Sequence, residues 1–214
     1  MLETAFYAFV AFFVILDPPG TAAIFAAMTR NLAASHRRTM AVRATVIAGS
    51  VLFAFAVGGK ALLAALGIGL PAFRVSGGTL LFLLAADMVF ARQSGLRSTT
   101  PVENAEAAAR DDITVFPLAF PLIAGPGAMT SVVLMMGRAG GDPWMSVVVL
   151  LVLALVMATV LAMLLAAGPI LRILGVTGAH VVSRIFGIIL AALAAQFIID
   201  GLLQAMPGLA SRAS

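Results

Sequence analysis

The stretch Leu16-Asp17-Pro18-Pro19-Gly20-Thr21 lies inside an apolar run that extends from residue 4 to residue 28. Proline within a helix removes a backbone hydrogen bond and clashes with the preceding turn, so two prolines followed by glycine predict that the helix opens here. A second apolar run is interrupted in the same way by Gly125-Pro126-Gly127. In a membrane, backbone groups freed by such breaks must face protein or a watery cavity. The two breaks therefore predict where the interior of the molecule lies.

The composition indicates a membrane protein. Of the 214 residues, 62% are apolar and 10% are charged, and the mean hydropathy is +1.12. A soluble domain is about half apolar and about a quarter charged. The absence of cysteine excludes disulfides, thiolate metal sites and cysteine nucleophiles. We expect no metal and no cofactor, and no nucleic-acid partner because the arginines form no long basic run.

Six apolar runs are long enough to cross a bilayer, which takes about 20 residues of helix. The predicted spans are residues 4–28, 41–66, 71–90, 113–136, 143–167 and 181–206. The polar segment 91–112 is predicted to be a cytoplasmic loop, and residues 168–180 a short interfacial turn. The whole chain, 1–214, is predicted to be one transmembrane domain.

The basic residues predict the orientation of these spans, because arginine and lysine concentrate in short cytoplasmic loops. Nine of the thirteen follow the first, third and fifth spans: Arg30, Arg37, Arg38, Arg43, Arg92, Arg97, Arg110, Arg172 and Arg184. The other four, Lys60, Arg74, Arg138 and Arg212, fall on the opposite side. The distribution predicts a multi-pass inner-membrane protein with both termini in the periplasm. The N-terminus lacks a basic region, so we expect no cleaved signal peptide.

Two landmarks recur at nearly half the chain length. Pro126-Gly127 follows Pro19-Gly20 by 107 residues, and Arg184-x-x-Gly187 follows Arg74-x-x-Gly77 by 110. Each half, 1–90 and 113–214, holds three spans, and an odd number of spans reverses the second half across the membrane. The prediction is an all-α membrane protein with a 3+3 inverted repeat, the architecture of many secondary transporters. The alternative is a chance match between common short patterns.

The two breaks predict a substrate site. A half-helix that starts inside the membrane presents free N–H groups, which attract anions such as a carboxylate. Paired interruptions in corresponding spans are the best sequence indicator of a transporter site. The predicted substrate-binding residues are Asp17, Pro19, Gly20, Thr21, Gly125, Gly127, Ala128 and Thr130. The alternative is a structural kink or a re-entrant hairpin that binds no ligand.

Charged residues within the spans are costly and suggest function. Asp17 has three possible roles: it binds a substrate ammonium, carries a proton, or caps the second half-helix. Four more residues, Arg74, Asp87, Arg184 and Asp200, are predicted with Asp17 to act in coupling or gating. The arginine and the acid of one helix are too far apart to pair, so we expect pairs between helices. Structural ion pairs are the alternative to gating.

Several motifs together resemble the MarC family of membrane proteins. They are Asp17-Pro18-Pro19-Gly20, Ala72-Phe73-Arg74-Val75-Ser76-Gly77-Gly78, Phe116-Pro117-Leu118-Ala119-Phe120-Pro121-Leu122-Ile123-Ala124-Gly125-Pro126-Gly127, Arg184-Ile185-Phe186-Gly187 and Gln196-Phe197-Ile198-Ile199-Asp200-Gly201. Typical members have isoleucine or valine where this chain has Pro19. The resemblance implies a six-span inner-membrane protein, distantly similar to LysE-type amino acid exporters. Some members are described as transporters of alanine and glycine.

These observations predict a secondary transporter of small neutral amino acids, with a proton or sodium as the coupling ion. No nucleotide loop is visible, so uphill transport must use an ion gradient. A channel for a small solute and a membrane scaffold that transports nothing remain alternatives. An enzyme is not expected, because the spans contain no cluster of Ser-His, His-Glu or Asp-Asp type. The oligomeric state stays open.

Overall fold

The computed structural model describes residues 2–91 and 112–206, which form helices and short connections without a strand. The helices are α1 (Leu2–Leu16), α2 (Pro18–Met28), α3 (Ala34–Ala65), α4 (Leu70–Phe90), the π-type α5 (Thr114–Ile123), α6 (Pro126–Arg138), α7 (Pro143–Leu165) and α8 (Ala167–Ala205). Five spans are long and apolar enough to cross a membrane, and the bent pair α5 and α6 makes a sixth. The predicted all-α membrane fold is confirmed. The cytoplasmic loop predicted at 91–112 lies almost wholly outside the described residues.

The break in the first span falls at Asp17, directly before the predicted Pro18-Pro19-Gly20, and the second half-helix begins at Pro18. A residue before proline is disfavoured in the α region, and Asp17 lies in the left-handed region with φ 40° and ψ 68°. Aspartate is one of the few residues that tolerates this region. Leu2–Met28 still crosses as one span. α1 and α2 pack against α7 and α8, so the opened turn is enclosed by protein.

The fourth span is more irregular than the sequence predicted. A single break at Gly125 was expected in an otherwise helical run. Instead Phe116 and Phe120 have extended backbones, with φ near −129° and −137°, and α5 and α6 meet at a bend of 51°. Both phenylalanines precede a proline, which explains why they leave the α region. α5 packs on α3.

Two predicted boundaries are wrong. α3 begins at Ala34 rather than at residue 41, so Arg37 and Arg38 lie on its first turns. Residues 168–180 are helical rather than a turn, apart from Gly175, where φ is 66°. The polar residues near the start of α3 hid its beginning, because the apolar pattern marks the part within the membrane and not the whole helix.

Helices α4 and α8 run antiparallel in close contact. A Cβ on Gly78 would lie 2.9 Å from the Ala194 carbonyl oxygen, and one on Gly187 would lie 3.1 Å from the Ala85 carbonyl oxygen. Small residues allow helix backbones to approach in this way within a membrane. The pair joins the third spans of the two halves.

The other contacts follow a regular pattern. α3 packs on α5 and α6, and α7 packs on α1 and α2. α4 contacts α6, and α8 contacts α2. Exchanging the two halves of the chain leaves these contacts unchanged, whereas the contact between α1 and α8 has no comparable counterpart between α5 and α4. An inverted repeat would produce such a pattern, although the repeat itself stays a prediction.

Candidate functional site

Asp17 is the most enclosed charged residue among those described, with 0% of its surface exposed. Its Oδ1 accepts a hydrogen bond from the Gly20 backbone N–H at 3.1 Å. Its Oδ2 accepts one from the Ser183 hydroxyl of α8 at 2.6 Å. The first contact caps α2, which was one of the three roles predicted for this residue. The second joins the broken first span to the last span.

The other residues of the first break support this geometry. A Cβ on Gly20 would overlap both Asp17 Oδ2 and Ser183 Oγ, so only glycine fits there. The buried Thr21 hydroxyl donates to the Leu16 carbonyl at 2.9 Å. Pro19 is half-buried.

The start of α2 has no free N–H left for a substrate carboxylate. Pro18 and Pro19 carry no N–H, and that of Gly20 is bonded to Asp17. The Thr21 N–H bonds to the Asp17 carbonyl. Asp17 itself therefore takes the place in which an anion was predicted to bind.

The start of α6 differs from the start of α2. The residue before the helix, Gly125, has no side chain and makes no side-chain cap. The first helical residue that could donate, Gly127, is buried against Leu81 and Leu84 of α4, about 3.0 Å from where its Cβ would lie. The next N–H belongs to the buried Ala128, whereas the Met129 N–H already bonds to the Gly125 carbonyl. Two first-turn N–H groups thus lack a partner within the helix, as helix starts do unless capped.

Thr130, the last predicted residue of this break, is buried one turn further along α6. Its methyl group occupies the space where Gly77 of α4 would carry a Cβ. The neighbours of the second break thus lie on α4, whereas the side-chain partner of Asp17 lies on α8.

Asp200 pairs with a residue that the sequence did not assign to the site. Arg138 at the end of α6 makes an ion pair with Asp200 at 2.9 Å. Gln196 donates to the other carboxylate oxygen at 2.7 Å. The Arg138 guanidinium also lies over the ring of Tyr7, 4.3 Å from its centroid. Asp200, which we expected to pair between helices with one of the predicted residues, pairs with Arg138 instead.

The remaining predicted gating residues have different surroundings. Arg74 is 7% exposed, and its Nε has no hydrogen-bond partner. Asp87 is half-buried near the end of α4, and Arg184 is exposed on α8. A gating role for these residues stays a prediction.

A cavity of about 360 Å³ lies at the opposite end of the molecule, where α2 and α7 end. Its lining includes Thr29, Arg37, Arg38 and Leu164 but none of the predicted substrate-binding residues. In the described part of the chain, no group of three or more His, Cys, Asp or Glu residues could hold a metal.

Sequence reasoning missed three polar residues, Ser183, Arg138 and Tyr7. Ser183 lies next to Arg184 in a motif that was used only to align the two halves. Arg138 was interpreted as an orientation signal. Neither position carries a signal for its partner, because Ser183 and Asp17 are 166 positions apart and Arg138 and Asp200 are 62 positions apart. Tyr7, the only tyrosine in the chain, was a signal that could have been used, since a hydroxyl within an apolar span needs a partner.

The chain is similar to known membrane proteins over nearly its whole length. A profile described as "MarC family integral membrane protein" matches residues 2–206. A UPF0056 membrane protein of Archaeoglobus fulgidus is 38% identical over 95% of this chain and 94% of its own length. The UPF0056 membrane protein YvbG of Bacillus subtilis is 31% identical over 99% of this chain and 100% of its own. The UPF0056 inner membrane protein YhgN of Escherichia coli K12 is 32% identical over 91% and 94%. No solved structure matches.

Proposed function

The chain belongs to the MarC family of integral membrane proteins, and from that premise and its buried Asp17 we propose that it is a secondary transporter of small neutral amino acids. The transport is driven by an ion gradient across the inner membrane. The similarity to an inner membrane protein, YhgN, supports this location. The resemblance to a family with members described as alanine and glycine transporters supports the substrate class.

The observation that carries the proposal is the Asp17 carboxylate. It lies wholly inside the bundle and accepts hydrogen bonds from both the Gly20 N–H and the Ser183 hydroxyl. Protonation would add an O–H donor to one oxygen and weaken that oxygen as an acceptor, so one of the two bonds would weaken or reverse its direction. Proton binding would therefore alter the contact between the first and the last span. An ionisable residue at such a position is a natural coupling site in a transporter.

The substrate carboxylate is best placed at the start of α6. The N–H groups of Gly127 and Ala128 lack helical partners there, and the positive end of the helix dipole favours an anion. The neighbouring side chains are small or branched apolar groups, Leu81, Leu84 and the methyl of Thr130. A substrate that enters between them when the site opens would have to be small, such as an amino acid with a short side chain.

Movement of one half against the other would open the site. Asp17 and Thr21 at the first break have no exposed surface in this conformation. The contact pattern that survives exchange of the two halves supports the predicted inverted repeat. Such repeats allow a central site to open to each side in turn.

Alanine flux into proteoliposomes, with and without a pH or sodium gradient, tests the proposal. We expect saturable flux that responds to one of the two gradients and is lost in Asp17→Asn. Thr45→Val on α3 is the matched control, because it removes one buried hydrogen bond away from the break without changing charge and should keep wild-type flux. Wild-type flux in Asp17→Asn would reject the coupling role.

The same liposomes separate the rival functions. If the protein is a carrier, alanine loaded inside the liposomes accelerates uptake of labelled alanine from outside. If it is a channel, the internal alanine has no such effect. A scaffold moves neither alanine, glycine nor serine under any gradient. Either result would exclude the proposed transporter.

A further inference from the structure

Four polar side chains meet where α1 begins and α6 ends, at the end of the bundle that the arginine distribution predicts to be periplasmic. They are Tyr7 of α1, Arg74 of α4, Arg138 of α6 and Asp200 of α8. Four helices from both halves of the chain thus contribute one residue each. The group contains two cations and one anion, so it carries an excess positive charge inside an apolar bundle.

The hydrogen bonding within this group is incomplete. Arg138 and Asp200 pair with each other, and Gln196 satisfies the second oxygen of Asp200. In contrast, Arg74 is only 7% exposed, and no described residue accepts a hydrogen bond from its buried Nε. The Tyr7 hydroxyl is also buried and has no hydrogen-bond partner among the described residues.

A buried guanidinium N–H without an acceptor is unfavourable, because it has lost its hydrogen bonds to water and gains none in return. Arg74 and Tyr7 offer only donors and a phenolic oxygen at this place. A small anion with at least two acceptor oxygens in one plane could accept hydrogen bonds from both side chains. A carboxylate has this geometry, and arginine binds it with two parallel hydrogen bonds.

We propose that the Arg74 guanidinium and the Tyr7 hydroxyl form a binding site for the carboxylate group of a small molecule. Asp200 holds Arg138 in place through their ion pair, and the second positive charge strengthens the field at the site. The identification of this carboxylate as the group of the transported amino acid that binds first rests on the proposed function.

The site leads towards the start of α6. Gly77, one turn after Arg74, contacts the methyl of Thr130, and Thr130 follows Gly127 by one turn. Each step is about 5 Å along a helix. A carboxylate released by Arg74 would therefore meet the two unpaired N–H groups of α6 about 10 Å further into the bundle.

Tyr7 provides a direct probe, because it is the only tyrosine in the chain. The full-length protein labelled with 3-fluorotyrosine would give one ¹⁹F resonance from Tyr7. We expect alanine and propionate to shift it saturably in detergent or nanodiscs at constant ionic strength. Alaninamide, which lacks the carboxylate, should leave it unshifted. Arg74→Gln should weaken the binding by about tenfold or more, as expected when a charge-assisted hydrogen bond is lost.

Lys60→Gln is the matched control. It also removes one positive charge, but Lys60 is exposed on α3 and is not among the predicted binding or gating residues. Its loss should leave the titration unchanged. If Arg74→Gln does not fold, the melting temperatures of the wild type, Arg74→Lys and Tyr7→Phe are measured with and without propionate. Propionate should raise the melting temperature of each variant less than that of the wild type.

The outcomes separate this site from the transport function. No shift with any carboxylate, an equal shift with alaninamide, or unchanged binding in Arg74→Gln would each overturn the site. If propionate binds and alanine does not, the carboxylate site is upheld and the amino acid is excluded as its ligand. Binding without alanine flux would uphold the site and reject the proposed transporter.

Discussion

Asp17 shows how one residue combines a structural and a functional requirement. Its backbone adopts the left-handed region that Pro18 imposes, and its side chain caps α2. Asparagine meets both requirements about as well as aspartate does. Asp17→Asn therefore preserves the cap, removes the charge and replaces one acceptor oxygen by an N–H donor, whereas Asp17→Ala removes the cap as well.

Ser183 is expected to stabilise the protein through its bond to Asp17. Ser183→Ala leaves a buried carboxylate oxygen without this donor, so we expect a loss of about 1–3 kcal/mol in the free energy of unfolding. Thermal unfolding followed by circular dichroism measures this loss. Ser50→Ala serves as the control, because the Ser50 hydroxyl bonds only to the Val46 carbonyl on the exposed side of α3. Equal stability of the two variants would contradict the structural role of Ser183.

Gly20 should tolerate no side chain. A Cβ there overlaps the carboxylate of Asp17, so Gly20→Ala must displace the cap and lower stability by about 1 kcal/mol or more. Gly49→Ala is the control, because its Cβ would lie in ordinary contact with Met157. It should be neutral or slightly stabilising, since alanine favours helix more than glycine does. Equal melting temperatures for both variants would argue against the tight packing at Asp17.

At the level of single residues, the sequence identified where to look more reliably than what each residue does. The prolines placed the break at Asp17 correctly, because their effect is local. The bond from the Gly20 N–H to Asp17 could not be predicted, because the sequence does not show that the Asp17 side chain folds back onto that N–H; the substrate role of Gly20 stays a prediction. Asp200 was given no partner for a related reason: Arg138 is distant along the chain and meets it only in the folded bundle.

At the scale of helices, the apolar runs predicted all six spans because each span must be apolar to face lipid. The same rule says little about the ends of helices outside the membrane, which explains the early start of α3. The two prolines of α5 were visible in the sequence, but only the structure shows that Phe116 and Phe120 leave the helical region. The prolines predict that the α-helical backbone is interrupted, and packing against α3 determines which backbone conformation replaces it.

The antiparallel contact between α4 and α8 yields a prediction at this scale. Gly78→Leu should clash with Ile198 and with the Ala194 backbone, which has no room to move. We expect a loss of about 1–3 kcal/mol or failure to fold. Gly58→Leu is the matched control, because nothing lies within 4 Å of its Cβ position. Melting temperatures of the two purified variants give the test, and a stable Gly78→Leu protein would show that the helices are further apart.

At the scale of the whole molecule, the two halves are alike in their contacts but differ in their chemistry. The first break is closed by a carboxylate, whereas the N-terminus of α6 at the second break has no side-chain cap. Two breaks of opposite local charge would suit a substrate that carries both an ammonium and a carboxylate. This difference could not be predicted from the repeat, because a repeat predicts similar positions and not the side chains that occupy them.

The orientation of the bundle is the last prediction. The chain has no cysteine, so Ala65→Cys and Ser35→Cys each introduce a single thiol at an exposed position near opposite ends of α3. We expect a membrane-impermeant maleimide to label Ala65→Cys in cells whose inner membrane is intact. Ser35→Cys should be labelled only after that membrane is permeabilised, because the arginines near it are predicted to be cytoplasmic. The opposite result would place Tyr7 and Arg74 at the cytoplasmic face, and their carboxylate site would then receive substrate from inside the cell.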